Sequence, residues 1–390
     1  MASFIQGKLN KLGHTFVTLT PAAPWKKPRE AEFHAPFCIY LPKKRYWFSF
    51  PLLLPGILHL LHPIAWINYK LIKCKIKKIN PDRILNHGDN HIAAIVTRCG
   101  NELGIPVTTI YHTAYWIYLK NEIKWLWLRN FLLRCQDTNS AYIYSNSDNV
   151  IMLSQWFKAE YFKRIPRVNE SKITYLPNVV IELNNADDSQ KDDFLTKAKE
   201  ILPILGKYPI ITCVGRVEKV KNLQFMVEVM ESYEQICHQS NANKHYPTPH
   251  VVFIGSGPYQ KTIEKLAKSK GVDQLFHFIG SRDNLWTCRF LRWATEVLCA
   301  PSLSETDGLT PKEARINGCP ALVPENTSLA QNSPNPRDIL PLDPIIWAEA
   351  IRNFVTDRSW RDSMGHSLSI QAQKINDHQT YINKLLDIIG

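Results

Sequence analysis

The sequence predicts an α/β protein of two parallel-sheet domains, and three observations carry that prediction. The 390 residues are 45% apolar and 11% aromatic, enough for two cores of ordinary size and too rich in aromatics for disorder. Short β-rich runs alternate with helix-length patterns, once in each half of the chain. Between the two series stands NNADDSQKDD at 184–193, polar and aspartate-rich, with the composition of a surface linker or helix start. The boundary is therefore expected between Asn178 and Ile201. The resulting division is a first domain over 1–180, a second over 181–370, and a C-terminal helix over 371–390 packing back toward the first domain.

Taken in order, Ser3–Leu12 reads as a helix closed by Gly13, and Phe16–Thr20 as a strand ended by Pro21. Arg83–Asn86 reads as a strand after Pro81-Asp82, His91–Leu103 as a helix, and Pro106–Tyr111 as the next strand. A Trp- and Leu-rich helix follows around Glu122–Cys135, then a strand at Ala141–Tyr144, a helix over Asp148–Tyr161 and a strand at Ile173–Tyr175. The second series opens with the strand Pro209–Val214, a helix near Leu223–Ile236 and the strand His250–Gly255. It continues with a helix at Tyr259–Ser269, strands at Phe276–Ile279 and Glu296–Ala300, and further βα material at Ala321–Val323 and Ile345–Val355. A helix over much of Gln371–Ile388 ends the chain.

Charge divides as the domains do. Residues 1–180 carry 24 basic and 10 acidic side chains, whereas 181–390 carry 23 and 25. The basic half suits a nucleic acid, an anionic membrane surface or an acidic small substrate. No helix-turn-helix, zinc or RNA-binding motif accompanies it, which argues against nucleic acid. Tyr46–Tyr69 is apolar and flanked by Lys43, Lys44, Arg45 and five lysines from Lys70 to Lys78, but Pro51, Pro55 and Pro63 interrupt it. A spanning helix is therefore not expected. Contact with the face of an anionic bilayer, or an ordinary buried helix pair, fits better. Nine cysteines stand singly, and MASFIQGKLNKLG lacks the apolar core of a signal peptide. The expected location is cytoplasmic, with peripheral attachment to the membrane face if the apolar segment meets it.

Open parallel sheets bind ligands beyond the carboxyl ends of their strands, so chemistry is sought there. The pointers are His112 after TTIY, Gly215 and Arg216 after ITCV, Gly255 and Gly257 after VVFI, and Pro301–Glu313 after VLCA. His87 and Asp89 also follow a strand, without an assigned role. In the last segment Thr310 is expected to cap a helix with Pro311 at its first position and Glu313 closing a capping box. The amides of Gly308, Leu309 and Thr310 would then meet a phosphate, with Glu305 just upstream facing ligand hydroxyls. Arg216 and Lys221 suit neutralisation of a leaving diphosphate, although a basic run after a strand is ordinarily solvated surface.

These pieces together resemble family 4 of the retaining glycosyltransferases. The matching stretches include LNKLGHTFVTLTP, KINPDRILNHGDN, GIPVTTIYHTAYWIYL, CVGRVEKVKNLQ, VVFIGSGP, FHFIGSR and CAPSLSETDGLTPKEARINGCPALV. The resemblance implies the GT-B fold of two facing Rossmann-like domains. Because Gly13-His14 arrives after twelve residues, the first domain is expected to lack its initial strand and glycine-rich loop. Carried over by residue, Arg216 and Lys221 would hold the donor diphosphate, Glu313 the ribose hydroxyls and Glu305 the transferred sugar. Backbone amides at 308–310 would meet sugar and phosphate, Gly215 and Gly255 would line the donor, and His112 would approach the sugar from the first domain. Ile279 and Arg282 would edge the base. The donor is a nucleotide sugar used as co-substrate, UDP-hexose favoured over GDP-mannose, with no metal or other cofactor required. YHTAYWIYL and the apolar insertion resemble the branch that glycosylates lipids, which implies a membrane glycolipid or lipid-linked saccharide as the expected acceptor. A catalytically weak or inactive nucleotide-sugar-binding relative or scaffold is the alternative.

Overall fold

The computed structural model describes residues 63–389 apart from 112–114, 166–168, 181–182, 184, 240–245 and 332. The expected helix Ser3–Leu12 and strand Phe16–Thr20, the Lys43–Arg45 cluster, His112 and most of Tyr46–Tyr69 lie outside the described residues. The chain divides into two compact units. One holds residues up to Leu153, Lys158–Asn178 and those from His378 onward; the other holds Ser154–Phe157 and Val179–Asp377.

In the first unit, α1 (Pro63–Ile79) leads into β1 (Ile84–His87), α2 (His91–Leu103) and β2 (Val107–Tyr111). Helices α3 (Tyr115–Glu122) and α4 (Leu126–Asn146) then precede β3 (Asn149–Met152), α5 (Gln155–Arg164), whose first three residues count with the other unit, and β4 (Ile173–Tyr175). The four strands pair in parallel in the order β1-β2-β3-β4. Helix α2 starts where Asn90 accepts a 3.0 Å bond from the Ala93 amide, and it ends at Gly104 in the left-handed region.

Two expected elements are corrected here. Ala141–Tyr144 is helical: its β-prone side chains form late turns of α4, where Ile143 and Tyr144 are completely buried. The Tyr144 ring meets those of Tyr111 and Tyr161 at centroid separations of 6.0 and 5.2 Å. The strand instead falls at Asn149–Met152, inside the stretch read as a helix from Asp148, and the helix begins only at Gln155. An apolar run as short as VIML satisfies either period, and burial between β2 and β4 selects the extended one.

The second unit contains α6 (Lys191–Ile201), β5 (Ile210–Val214), α7 (Phe225–Gln239), β6 (His250–Ile254), α8 (Gln260–Ser269), β7 (Phe276–Phe278) and α9 (Asn284–Ala294). It continues through β8 (Val297–Cys299), α10 (Leu309–Ile316), β9 (Ala321–Pro324), α11 (Ser328–Gln331), β10 (Ile339–Leu340), α12 (Pro344–Thr356) and α13 (Arg358–Ile375). All pairings are parallel, in the order β10-β9-β8-β5-β6-β7. Successive side chains serve opposite faces: Ile211, Cys213, Val251 and Phe253 enter one core, while Ile210, Val252 and Ile254 enter another. Burial on both faces explains why these strands read as unbroken apolar runs.

The chain end differs from a single Gln371–Ile388 helix. Helix α13 starts earlier, at Arg358, and stops at Ile375; α14 (His378–Ile389) then begins the part that belongs to the first unit. Asn376 at the break accepts from the Val180 amide at 2.7 Å and donates to the Val180 carbonyl at 2.9 Å. The Asn376 backbone amide still closes the last turn on the Ala372 carbonyl, and its side chain ties the break to Val180. At its far end, α14 receives a 2.7 Å bond from the Asn149 amide at the Ile388 carbonyl.

Candidate active site

Strand order reverses between β5 and β8: from β5 the chain proceeds to β6 and β7 on one side, while β8, β9 and β10 lie on the other. Loops leaving the carboxyl ends of these two strands diverge and open a crevice. Gly215, Arg216, Lys221, Glu305 and Gly308 lie on those loops, Gly255 follows β6, Ile279 and Arg282 follow β7, and Leu309, Thr310 and Glu313 lie in α10 (Leu309–Ile316).

From β5 the chain enters Gly215 at φ +136° and Arg216, whose side chain is largely exposed and reaches Glu218 at 3.0 Å. A single turn over Lys219–Lys221 follows, closed by Asn222 in the left-handed region. The Gly255 backbone packs so closely on this loop that a Cβ there would sit 1.8 Å from the Gly215 carbonyl oxygen. Gly255 also donates to the Gly280 carbonyl at 2.9 Å, tying the loop after β6 to the loop after β7. Glycine at 255 is thus a requirement of close backbone approach.

The loop after β8 is laced to the first. Leu303 donates its amide to the Val220 carbonyl at 3.3 Å, and the Ser302 hydroxyl reaches the same oxygen at 3.4 Å. Across this seam the Lys221 ammonium and the Glu305 carboxylate form a direct, half-buried ion pair. The Ser328 hydroxyl donates to the Glu305 carbonyl, fixing its backbone as well. Lys221 and Glu305, 84 positions apart, are the assigned residues brought into contact.

Helix α10 is capped two residues before the expected position. Gly308, at φ +70°, is the N-cap, and no side chain caps the helix. Thr310 is therefore inside the first turn, and Glu313 lies beyond capping-box reach. The physical reason is an ion pair that sequence reading missed. Asp307 precedes the cap and Lys312 is the fourth helical residue, and their side chains meet in a nearly buried pair. These are the positions a hydrophobic staple ordinarily occupies, here filled by opposite charges. The cue was present in D-G-L-T-P-K, where two charges flank a glycine at staple spacing.

With no capping duty, the Glu313 carboxyl is held by the Asn284 side chain at the start of α9, and burial pushes its pKa up to about 7. Nearby, Ile279 donates to the Phe253 carbonyl at 3.1 Å, and the Arg282 guanidinium lies 5.5 Å from the centre of the Trp286 ring. The arrangement supplies cations, free helix-start amides at 308–310 and two carboxylates at one sheet edge. It is suited to a ligand with anionic and hydroxyl-bearing parts. His112 lies outside the described residues and is not placed against it.

Comparison with known proteins bears on the family and the fold. Residues 7–181 match the pattern described as Glycosyltransferase Family 4, and residues 196–332 match Glycosyl transferases group 1. The chain belongs to family 4 of the glycosyltransferases. A relative from Acholeplasma laidlawii, an alpha-monoglucosyldiacylglycerol synthase, is 23% identical over 64% of this chain. The match spans 60% of that relative's length. Among solved structures, WaaG, a glycosyltransferase involved in lipopolysaccharide biosynthesis, aligns with a TM-score of 0.68 at 16% identity, over 99% of this chain and 94% of its own. A sucrose-phosphate synthase from Thermosynechococcus elongatus aligns with a TM-score of 0.63 at 19% identity, over 90% of this chain and 79% of its own. Both likenesses place the fold in the GT-B class.

Proposed function

We propose that this family 4 member is a retaining hexosyltransferase that moves a sugar from a nucleoside diphosphate to a hydroxyl of a membrane lipid or lipid-linked saccharide. The observation that carries the reading is the Lys221–Glu305 pair at the strand-order reversal, with Arg216 on the same loop as Lys221. A donor diphosphate entering there would take Lys221 as counter-ion and release Glu305 toward the sugar hydroxyls. Arg216 would add a second cation, and the amides of Gly308, Leu309 and Thr310 would complete the anion site.

Retention follows front-side displacement, in which the acceptor hydroxyl attacks the face from which the diphosphate departs. The bond from the anomeric carbon to the phosphate oxygen breaks as the bond to the acceptor oxygen forms, and the acceptor proton leaves with the diphosphate oxygen. Arg216 and Lys221 would stabilise the charge that develops there, a contribution worth on the order of 10²–10³ in rate for one well-placed donor. Glu313, as a carboxylate, would accept from ribose hydroxyls. The donor nucleotide is UDP in preference to GDP, and the family resemblance gives His112 a role toward the sugar.

The lipid acceptor is supported by the likeness to a glucosyldiacylglycerol synthase and by the basic first half. The test is calorimetric titration with UDP and GDP, followed by NMR of the anomeric proton in the product formed from the matching α-linked donor. An α-linked product supports retention, whereas a β-linked product excludes it.

A further inference from the structure

The start of α4 carries large apolar side chains that remain exposed. Trp125 and Trp127 are 67% and 71% exposed, Leu126 59% and Phe131 45%. The buried side chains of this 21-residue helix begin only at Leu132. Lys124, Asn130 and Arg134 are also exposed, Arg129 is half-buried, and Lys120 lies 4.9 Å from the Trp116 ring on α3. Two exposed tryptophans among four basic residues are not solvated surface by composition.

Position within the fold gives the patch a direction. Asp89 stands two residues beyond the carboxyl end of β1, and its carboxylate accepts from Gln136 at 3.1 Å and from Ser140 at 2.5 Å. Residues 136–140 of α4 are therefore level with the carboxyl edge of the sheet. At 1.5 Å per residue, Leu126 lies about 15 Å farther along the axis. Helix α4 ends at Asn146, three residues before β3 begins, so it runs from beyond the carboxyl edge back to the amino edge. Its first turns overhang the edge at which open sheets receive ligands.

We propose that this overhang, Trp125, Leu126, Trp127 and Phe131 with Lys120, Lys124, Arg129 and Arg134, inserts at the interface of an anionic bilayer. Indole rings settle at headgroup depth, and each basic residue near an anionic surface adds attraction. The inference rests on the lipid acceptor proposed above, because a lipid hydroxyl is presented at that same depth. It is a different stretch of chain from the Tyr46–Tyr69 segment, most of which lies outside the described residues.

The experiment uses the full chain and vesicles of phosphatidylcholine with or without 40% phosphatidylglycerol, free of donor. The wild type is expected to cosediment with the anionic vesicles, and Trp125→Ala with Trp127→Ala to weaken partitioning on the order of tenfold or more. Lys124→Glu with Arg129→Glu is expected to do the same and to remove the preference for phosphatidylglycerol. Transfer to a detergent-dispersed acceptor should be unchanged in both variants, which shows that they fold. Wild-type cosedimentation by the tryptophan variant would overturn the inference, as would a wild type that binds no vesicle. A tryptophan variant that only lowers self-association, with vesicle binding intact, would assign the patch to a second copy and overturn it too. The lipid acceptor is read separately: transfer to a soluble sugar alone, with tryptophan-dependent cosedimentation retained, would sink that reading and leave the docking surface standing.

Discussion

At Lys221 the donor phosphate has a competitor, because Glu305 already neutralises the ammonium. Glu305→Gln is therefore expected to bind free nucleoside diphosphate about three- to tenfold more tightly, while transfer slows because the sugar contact is weakened. Calorimetry with the diphosphate and turnover with the complete donor separate the two effects. Glu313 gives a pH signature. Its folded pKa of about 7 lies above the ordinary value of 4.5, so the folded protein holds this proton where the unfolded chain has released it. Its contribution is fully favourable below about 4.5 and is lost as pH rises through 7. Glu313→Gln should therefore raise stability at pH 8, by on the order of 1–2 kcal/mol after discounting for partial exposure, and change little at pH 4.5. Thermal melts at the two pH values check this. Since ribose hydroxyls favour the carboxylate, diphosphate nucleosides should bind more tightly at pH 8 than at pH 6.

At the scale of elements, the start of α10 depends on one glycine and one ion pair. A Cβ on Gly308 would meet Leu329 Cδ2 at 2.1 Å in a backbone conformation that disfavours side chains. Gly308→Ala should cost about 1–3 kcal/mol and displace the amides at 308–310, read as a lower unfolding midpoint and weaker diphosphate binding. Asp307→Ala leaves the Lys312 ammonium without its nearly buried carboxylate and should cost about 3–5 kcal/mol. Asp307→Leu with Lys312→Leu, an apolar staple, should recover most of it. The same elements mark how far sequence reading reached. Strands β5 and β6 were legible because burial on both faces leaves continuous β-branched runs, and α2 because Asn90 and Gly104 punctuate it. Ala141–Tyr144 was not, because its local β preference yields to burial of Ile143 and Tyr144 inside α4. The cap of α10 was misplaced because Thr310-Pro311 is a good local start, whereas the left-handed Gly308 and the Asp307–Lys312 contact across it favour the earlier one. Of the site, the residue types at the strand ends were legible, whereas the Lys221–Glu305 contact across 84 positions depends on strand order.

For the whole molecule, the assigned donor residues described in the structure lie within the Val179–Asp377 unit. Hydrogen exchange on the full chain with saturating nucleoside diphosphate should therefore slow around 215–221, 255–257 and 308–313. Exchange over β1 and β2 should be unmoved by the nucleotide alone. At a hundred times Kd the added protection is about 2.7 kcal/mol. Equal protection in both units would mean that the nucleotide also binds or orders the first. The most direct measurement is sugar transfer from labelled UDP- and GDP-sugars to a membrane lipid extract, with mass detection, by wild type and by Arg216→Ala with Lys221→Ala. A glycolipid from the wild type, reduced by about 10³ or more in a variant that remains folded and binds diphosphate weakly, is the predicted result. Wild-type turnover by that variant would contradict the role given to the β5 loop and with it the proposed chemistry.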